Sequence, residues 1–579
     1  MAHPEVRELV VPTVTGRTST TLAADGARRA GTVTAELAAK STEKFSVVGV
    51  TWAPGTASTP QVEVRVRTDN RWSGWSLLKG DSDDAPDGAE AAHARPGTAP
   101  LWVGNSNGVQ VRLISKSTLS RSAAPADVKV ALVDPKTLAT DATASSERLS
   151  GSSTSATPPY LYPAPAVVSR SSWGADETLR TYNGDGCATP SYDTTIKAAV
   201  VHHTAGSNSY SASQSASLVR GIYAYQVQSK GWCDIGYNFL VDKYGTTFEG
   251  RFGGIWNVVH GAHATLWNTN TVGVVVMGNF DTAQPPAVMM NAAANLIAWK
   301  LEGFYRDATG RVTLAGKDID VITGHGDVMQ TACPGRYLFA QMPTLRTTVK
   351  NKIGSFNTPI YSRWQALGGE AGWVGSPTSP ERVILDGRAT RFVGADLLWS
   401  PFTGAHWVKG GLAAKYRALG SAGHYLGFPT SDEEAGVLGS QMNRFQSGAI
   451  YSSEATGAQD VYRVFYANFT GLSADAQRNL GLPTASQRAG RILGSQYQPF
   501  SSGGMYWTKA TGGHDIYRSF YAYYERLGNN VTRLGMPTAS QRPGAVTGSQ
   551  FQAFERGGLY WLSSLGTSEV NGQIFKTYQ

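Results

Sequence analysis

Along the first quarter of the chain apolar residues alternate with polar ones. The stretches 45–52, 61–67, 110–114 and 128–133 carry the period of two that lays one face of a strand on a core, and turns separate them. Several short strands at this spacing predict an all-β sandwich over 45–140. Residues 1–44 are mostly polar and read as an N-terminal extension with a short helix near 33–40. From 141 to 165 no apolar period survives. Ala144-Ser145-Ser146, Ser152-Ser153-Thr154-Ser155 and Pro158-Pro159 make this a Ser/Thr/Ala/Pro-rich linker. Both periods mix over 166–353. Strands are expected at 196–202, 237–242, 247–250 and 272–277, and helices at 211–229, 286–301 and 337–353. One mixed sheet flanked by helices, an α/β (α+β) domain, fits this order.

A different regularity governs 354–579. Val374-Gly375-Ser376-Pro377-Thr378, Leu426-Gly427-Phe428-Pro429-Thr430, Leu480-Gly481-Leu482-Pro483-Thr484 and Leu534-Gly535-Met536-Pro537-Thr538 recur every 52 to 54 residues. Each is followed by strand-like runs. Self-similarity at a fixed period means repeated units that stack or ring an axis.

Composition narrows the class. The 579 residues suffice for about three domains, and 41% hydrophobic residues with 10% aromatics can fill several cores. Charged residues are scarce at 16%, while Gly reaches 65, a balance that suits an extracellular, strand- and turn-rich protein. The net charge is +8 with a pI near 9.2. No Lys/Arg run forms a phosphate track, so nucleic acid is not expected as a partner, and an anionic cell envelope is. No stretch of 18 apolar residues spans a membrane. The start, Met1-Ala2-His3-Pro4-Glu5, carries no secretion signal, and its removal is the expectation. Trp72, Trp75 and Trp102 read either as core or as a carbohydrate-stacking face.

The candidate chemistry sits in the middle third. Ala199-Val200-Val201-His202-His203-Thr204-Ala205-Gly206 is an apolar run ending in histidines, a buried strand that delivers imidazole to a cleft at its tip. Alternation along a strand lets only one of His202 and His203 face that cleft. His325 and Cys333 lie on a Gly- and Pro-punctuated loop in Thr323-Gly324-His325-Gly326-Asp327 and Thr331-Ala332-Cys333-Pro334-Gly335. Two imidazoles and a thiolate are ligands of the type zinc takes in catalytic sites.

These motifs resemble the N-acetylmuramoyl-L-alanine amidase family shared by peptidoglycan recognition proteins and T7-like lysozymes. The resemblance runs from Ser169-Arg170-Ser171-Ser172-Trp173-Gly174-Ala175 to about Met342. It includes Gly231-Trp232-Cys233-Asp234-Ile235-Gly236-Tyr237-Asn238-Phe239, Gly261-Ala262-His263-Ala264 and Gly278-Asn279-Phe280. It implies a zinc ion held by His202, His325 and Cys333, with Tyr237 as the family's catalytic tyrosine, donating to the oxyanion. Thr331 matches a position where relatives carry Lys or Thr and is expected to have a weaker electrostatic part. Trp232, Arg251 and His263 match cleft-lining, substrate-binding positions. With Cys333 assigned to the metal, Cys187 and Cys233 are left as a disulfide pair, which implies an oxidising compartment. The repeats resemble the LGFP repeat of actinobacterial cell-wall proteins, which implies a propeller-like array that attaches to the wall. The combined expectation is a secreted zinc amidase that cleaves the bond between N-acetylmuramic acid and L-alanine of peptidoglycan. The alternative is a non-catalytic peptidoglycan-binding envelope protein.

Overall fold

The computed structural model describes residues 2–22, 28–55, 59–81, 83–115, 124–144, 148–149 and 162–578. The chain divides into two compact units. One is 1–356 with 377–380, and the other is 357–376 with 381–579.

The first unit opens with β1 (Glu5–Val10), β2 (Thr13–Leu22), β3 (Arg28–Thr51), β4 (Gln61–Thr68), β5 (Arg71–Trp72), β6 (Ser76–Leu78), β7 (Leu101–Ser115) and β8 (Lys129–Asp134). They form one sheet of order β1-β8-β3-β7-β4-β5, with β2 on β3 and β6 on β4. The expected pair of stacked sheets is therefore a single hydrogen-bonded sheet. The 24-residue β3 pairs with three strands, β2, β7 and β8, and its register against β7 shifts four times. Nor is 1–44 a separate extension with a helix. Residues 33–40 lie in β3, and β1 pairs with β8 from Glu5↔Asp134 to Val10↔Lys129. The Ala, Glu and Lys there favour helix locally, yet Val33 and Ala35 alternate into the core, so burial overrides propensity.

This sheet buries both faces. Val48, Val50, Val130 and Leu132 fill its own core with Phe45, Val62 and Val111. Val47, Ala131 and Val133 point the other way, into a core shared with the central domain. Trp102 joins that shared core. The rings of Trp72 and Trp75 are instead covered by guanidinium groups, Arg65 at 5.2 and 5.1 Å and Arg112 at 4.2 Å from Trp75.

The central domain adds β9 (Arg148–Leu149), β10 (Val167–Val168), β11 (Ala198–His203), β12 (Phe239–Val241), β13 (Thr247–Glu249), β14 (Thr271–Val276), the hairpin β15 (Arg311–Leu314) and β16 (Lys317–Asp320), and β17 (Ile322–Gly324). Its mixed sheet has the order β17-β11-β14-β12-β13-β10-β9. β17, β11, β14 and β12 run parallel. The helices are α1 (Ser215–Ala224), α2 (Ala287–Glu302), α3 (His325–Val328), α4 (Arg336–Phe339) and α5 (Met342–Ile353). α2 and α5 cover one face. α1 covers the other and is itself roofed by the N-terminal sheet, so all ten of its residues are buried. Two features cement this contact. Arg220 of α1 makes a bidentate pair with Asp141 at 2.7 Å for both oxygens. Gly49 of β3 has no Cβ, which would collide with the ring of Tyr225, and the Tyr225 hydroxyl donates to the carbonyls of Thr98 (2.9 Å) and Val50 (3.3 Å). Most of the expected linker, 145–147 and 150–161, lies outside the described residues.

The second unit carries four antiparallel four-stranded sheets, within 382–408, 434–462, 488–517 and 542–571, each followed by a short helix. The glycine of each repeat motif (Gly375, Gly427, Gly481, Gly535) has φ between 72 and 87°, a left-handed turn that favours glycine. Buried amides link successive sheets. Gln498 donates to the carbonyl of Asp460, and Gln552 to that of Asp515, both at 2.5 Å.

Candidate metal centre

Parallel β11 and β17 end side by side, paired through Val200↔Thr323 and Val201↔Gly324. The residues that follow, His202 on β11 and His325 at the start of α3, therefore emerge at the same edge, their rings 4.5 Å apart. The turn after α3 returns the chain, and Gly326 N–H bonds to the Cys333 carbonyl at 2.7 Å. This brings the Cys333 sulfur 3.7 Å from His202 Nδ1. His203 points away, as alternation requires, and its Nδ1 accepts from Phe280 N–H at 3.2 Å.

A fourth group completes the cluster. Asp84, in the connection between β6 and β7 of the N-terminal sheet, puts Oδ1 2.9 Å from His325 Nδ1 and 3.3 Å from His202 Nδ1. Ligand atoms of Asp84, His202, His325 and Cys333 all lie within 4.8 Å of one another, and all four residues are buried. Asp84 Oδ1 and both ring nitrogens of His325 are buried without a hydrogen-bond partner. Buried polar atoms that face one another at contact distance without hydrogen-bond geometry fit a shared cation. Two imidazoles, a sulfur and a carboxylate fit the donor preference of zinc.

The surroundings tune these groups. Burial lowers the His202 pKa to about 4, which keeps the imidazole neutral and able to bind a metal. Burial pushes the Cys333 thiol well up, so a thiolate there needs a cation beside it. Burial opposes ionisation of Asp84, but the facing His202 and His325 outweigh it and hold the carboxyl well below its ordinary range. Burial, then Asp84, raises the Tyr237 phenol well above its ordinary value, so it stays a proton donor.

The other sequence-predicted residues fall in distinct places. Tyr237 is at the cluster, its ring 5.6 Å from that of His202. Thr331 accepts the Cys333 N–H at 3.3 Å and so shapes the cysteine loop. His263 does not line the cleft. It is fully buried behind His202, with Nδ1 3.1 Å from His202 Nε2. Trp232 is buried too, with Lys230 Nζ 4.3 Å from its ring centre, so no face is open to a sugar. Arg251 borders an open cavity of about 700 Å³, lined also by Arg180, Tyr192, Phe252 and His260, and there pairs with Glu90. Cys187 and Cys233 are disulfide-bonded beside the same cavity. The sequence reading missed Asp84. Its only local signal is the acidic run Asp81-Ser82-Asp83-Asp84, indistinguishable from a solvated turn.

Three parts of the chain are similar to known families. Residues 192–336 match the family described as N-acetylmuramoyl-L-alanine amidase. Residues 7–144 match one described as Rv3811 N-terminal galactose-binding domain-like. LGFP repeats match at 374–423, 426–476, 480–530 and 534–579. Peptidoglycan-recognition protein SC2 of Drosophila simulans is 35% identical over 179 residues, 31% of this chain and 85% of the relative. Peptidoglycan recognition protein 1 of Bos indicus is 34% identical over 175 residues, 30% of this chain and 80% of the relative. Among solved structures, Drosophila PGRP-LB is similar at 30% identity and a TM-score of 0.25, covering 30% of this chain and 91% of that one.

Proposed function

The chain belongs to the family of peptidoglycan-recognition proteins and N-acetylmuramoyl-L-alanine amidases, with LGFP repeats at its C-terminal end, and on that premise we propose that it is a secreted zinc amidase of peptidoglycan. The bond cleaved is the amide between the lactyl group of N-acetylmuramic acid and L-alanine. The observation that carries this reading is the convergence of two buried imidazoles and a buried sulfur beside the Tyr237 ring.

His202, His325 and Cys333 would hold the zinc. When bound, the ion supplies Lewis acidity, polarising the scissile carbonyl and acidifying water. Tyr237, held protonated by its environment, donates to the oxyanion that develops as the carbonyl is attacked. His263 fixes the ring of His202 through Nε2, so that Nδ1 lies toward Cys333 and Asp84, where it would bind the ion. Thr331 positions Cys333 by accepting its N–H. Arg251, at the rim of the 700 Å³ cavity, suits a carboxylate of the stem peptide. The repeats, in a propeller-like array, would anchor the protein to wall polymers. The disulfide supports export, and no described helix is long and apolar enough to cross a membrane.

A second reading, wall binding without hydrolysis, is favoured by one observation: Asp84 sets a fourth donor against His202 and His325, at 3.3 and 2.9 Å. Digestion of purified peptidoglycan separates the two. Stoichiometric zinc and new L-alanine amino termini, both lost in Cys333→Ser, support the amidase. Equal release by wild type and Cys333→Ser would remove it.

A further inference from the structure

The connection from Lys79 to Arg95 leaves the N-terminal sheet and lies across the central domain, where several of its described polar groups are engaged. Lys79 pairs with Asp281. Asp81 is gripped by the buried Lys230, whose Nζ donates to Oδ2 at 2.9 Å and to the carbonyl at 3.0 Å. The Ala85 carbonyl accepts from Thr265 N–H and from the Asn268 amide, both at 3.1 Å. His260 is clamped between Asp87 and Asp193 at 2.8 Å each. Glu90 accepts from Cys233 N–H at 2.9 Å and pairs with Arg251, and Arg95 N–H reaches the Lys230 carbonyl at 2.8 Å. Bonds on both sides of Asp84 thus fix where its carboxylate points.

That carboxylate engages two separate parts of the site at once. Oδ1 faces the imidazoles of His202 and His325, and Oδ2 accepts the proton of Tyr237 at 2.7 Å. A zinc site that works on substrate keeps one position open, whereas four protein ligands close it. Charge points the same way. Two neutral imidazoles and one thiolate leave a divalent ion with one net positive charge, which a single carboxylate neutralises. A donor aimed at an oxyanion is likewise silenced while it is bonded to a fixed anion.

We infer that Asp84 is a fourth metal ligand delivered by the N-terminal domain, and that segment 79–95 holds the site in a latent form that becomes active when the segment is lifted. The inference rests on the zinc reading of His202, His325 and Cys333. It differs from a structural role for Asp84, because it requires that removing a buried, well-bonded acid increases activity rather than reducing it.

The test uses the full-length protein loaded with zinc or with cobalt as a spectroscopic stand-in. Asp84→Ala should weaken the metal on the order of tenfold or more in competition with a chromophoric chelator. It should also alter the visible cobalt spectrum and let added acetohydroxamate change that spectrum, to which the wild-type spectrum should not respond. Release of stem peptides from peptidoglycan should rise at least about tenfold. Because Asp84→Ala touches the site directly, a second variant carries a specific protease sequence inserted between the exposed Gly88 and Ala89. Cleaving it should make the cobalt spectrum respond to acetohydroxamate and raise activity, with all site residues intact. Unchanged metal affinity and spectrum in Asp84→Ala overturn the ligand assignment. Loss of activity in Asp84→Ala with metal still bound overturns latency and makes Asp84 a participant in the reaction. If metal affinity and spectrum respond as expected but no variant cleaves peptidoglycan, the ligand stands and the amidase reading falls.

Discussion

The hydroxyl of Tyr237 donates to Oδ2 of Asp84 at 2.7 Å, although the two residues belong to different domains and are 153 positions apart. Tyr237 therefore has a partner in the closed site that it must exchange for substrate. Tyr237→Phe, measured in the Asp84→Ala background so that this exchange drops out, should lower the rate of amide cleavage by about 10²–10³-fold while zinc content stays at one per chain. Metal analysis alongside muropeptide turnover checks both halves.

His263 packs edge-on against His202 and lies with Nδ1 3.1 Å from His202 Nε2. Its ring fixes which imidazole nitrogen is turned toward the metal, so His263→Leu should weaken zinc about 10- to 100-fold, with secondary structure unchanged. Competition with a chelator of known affinity measures this directly.

The clamp on segment 79–95 carries a pH signature. Hydrogen bonds to Asp193 and then Asp87 raise the His260 pKa to about 9. A histidine raised in this way stabilises the folded contact fully below its unfolded value near 6.5, and that contribution is lost as pH rises through about 9. Limited proteolysis at 88–93, where every residue but Glu90 is exposed, should therefore accelerate between those values. His260→Gln, which cannot charge, should flatten the profile.

The Cys187–Cys233 disulfide closes a loop with a sequence separation of 46, which in the chain-entropy picture contributes roughly 4 kcal/mol. Replacing both cysteines with alanine should lower the midpoint of the thermal transition of the first unit and leave that of the repeats in place. Calorimetry with and without reductant on the wild type provides the control.

Much of the central domain was legible in the sequence because its signals are local. A buried parallel strand reads as an apolar run, and His202 marks its tip. The repeat glycines stand out because each turn needs a left-handed residue. Two things were hidden. α1 has no solvent face, so it shows only a dense apolar and small-residue stretch from which no roofing sheet can be inferred. Asp84 reaches the cluster from another domain, and no spacing links it to His202, 118 positions away. Residues 33–40 hide their strand for a related reason: Ala35, Glu36, Leu37, Ala38, Ala39 and Lys40 are good helix formers, and only burial of Val33 and Ala35 against distant strands decides otherwise.

The seam between Gly49 and Tyr225 sets the scale on which this molecule can change shape. With a tyrosine ring seated where a side chain would otherwise stand, and Arg220 bonded to Asp141, the two folds pack as one compact unit. Access to the site must then come by peeling back a short ribbon hinged near Lys79 and Arg95. Parting the folds is not required, and the ribbon can settle back once released.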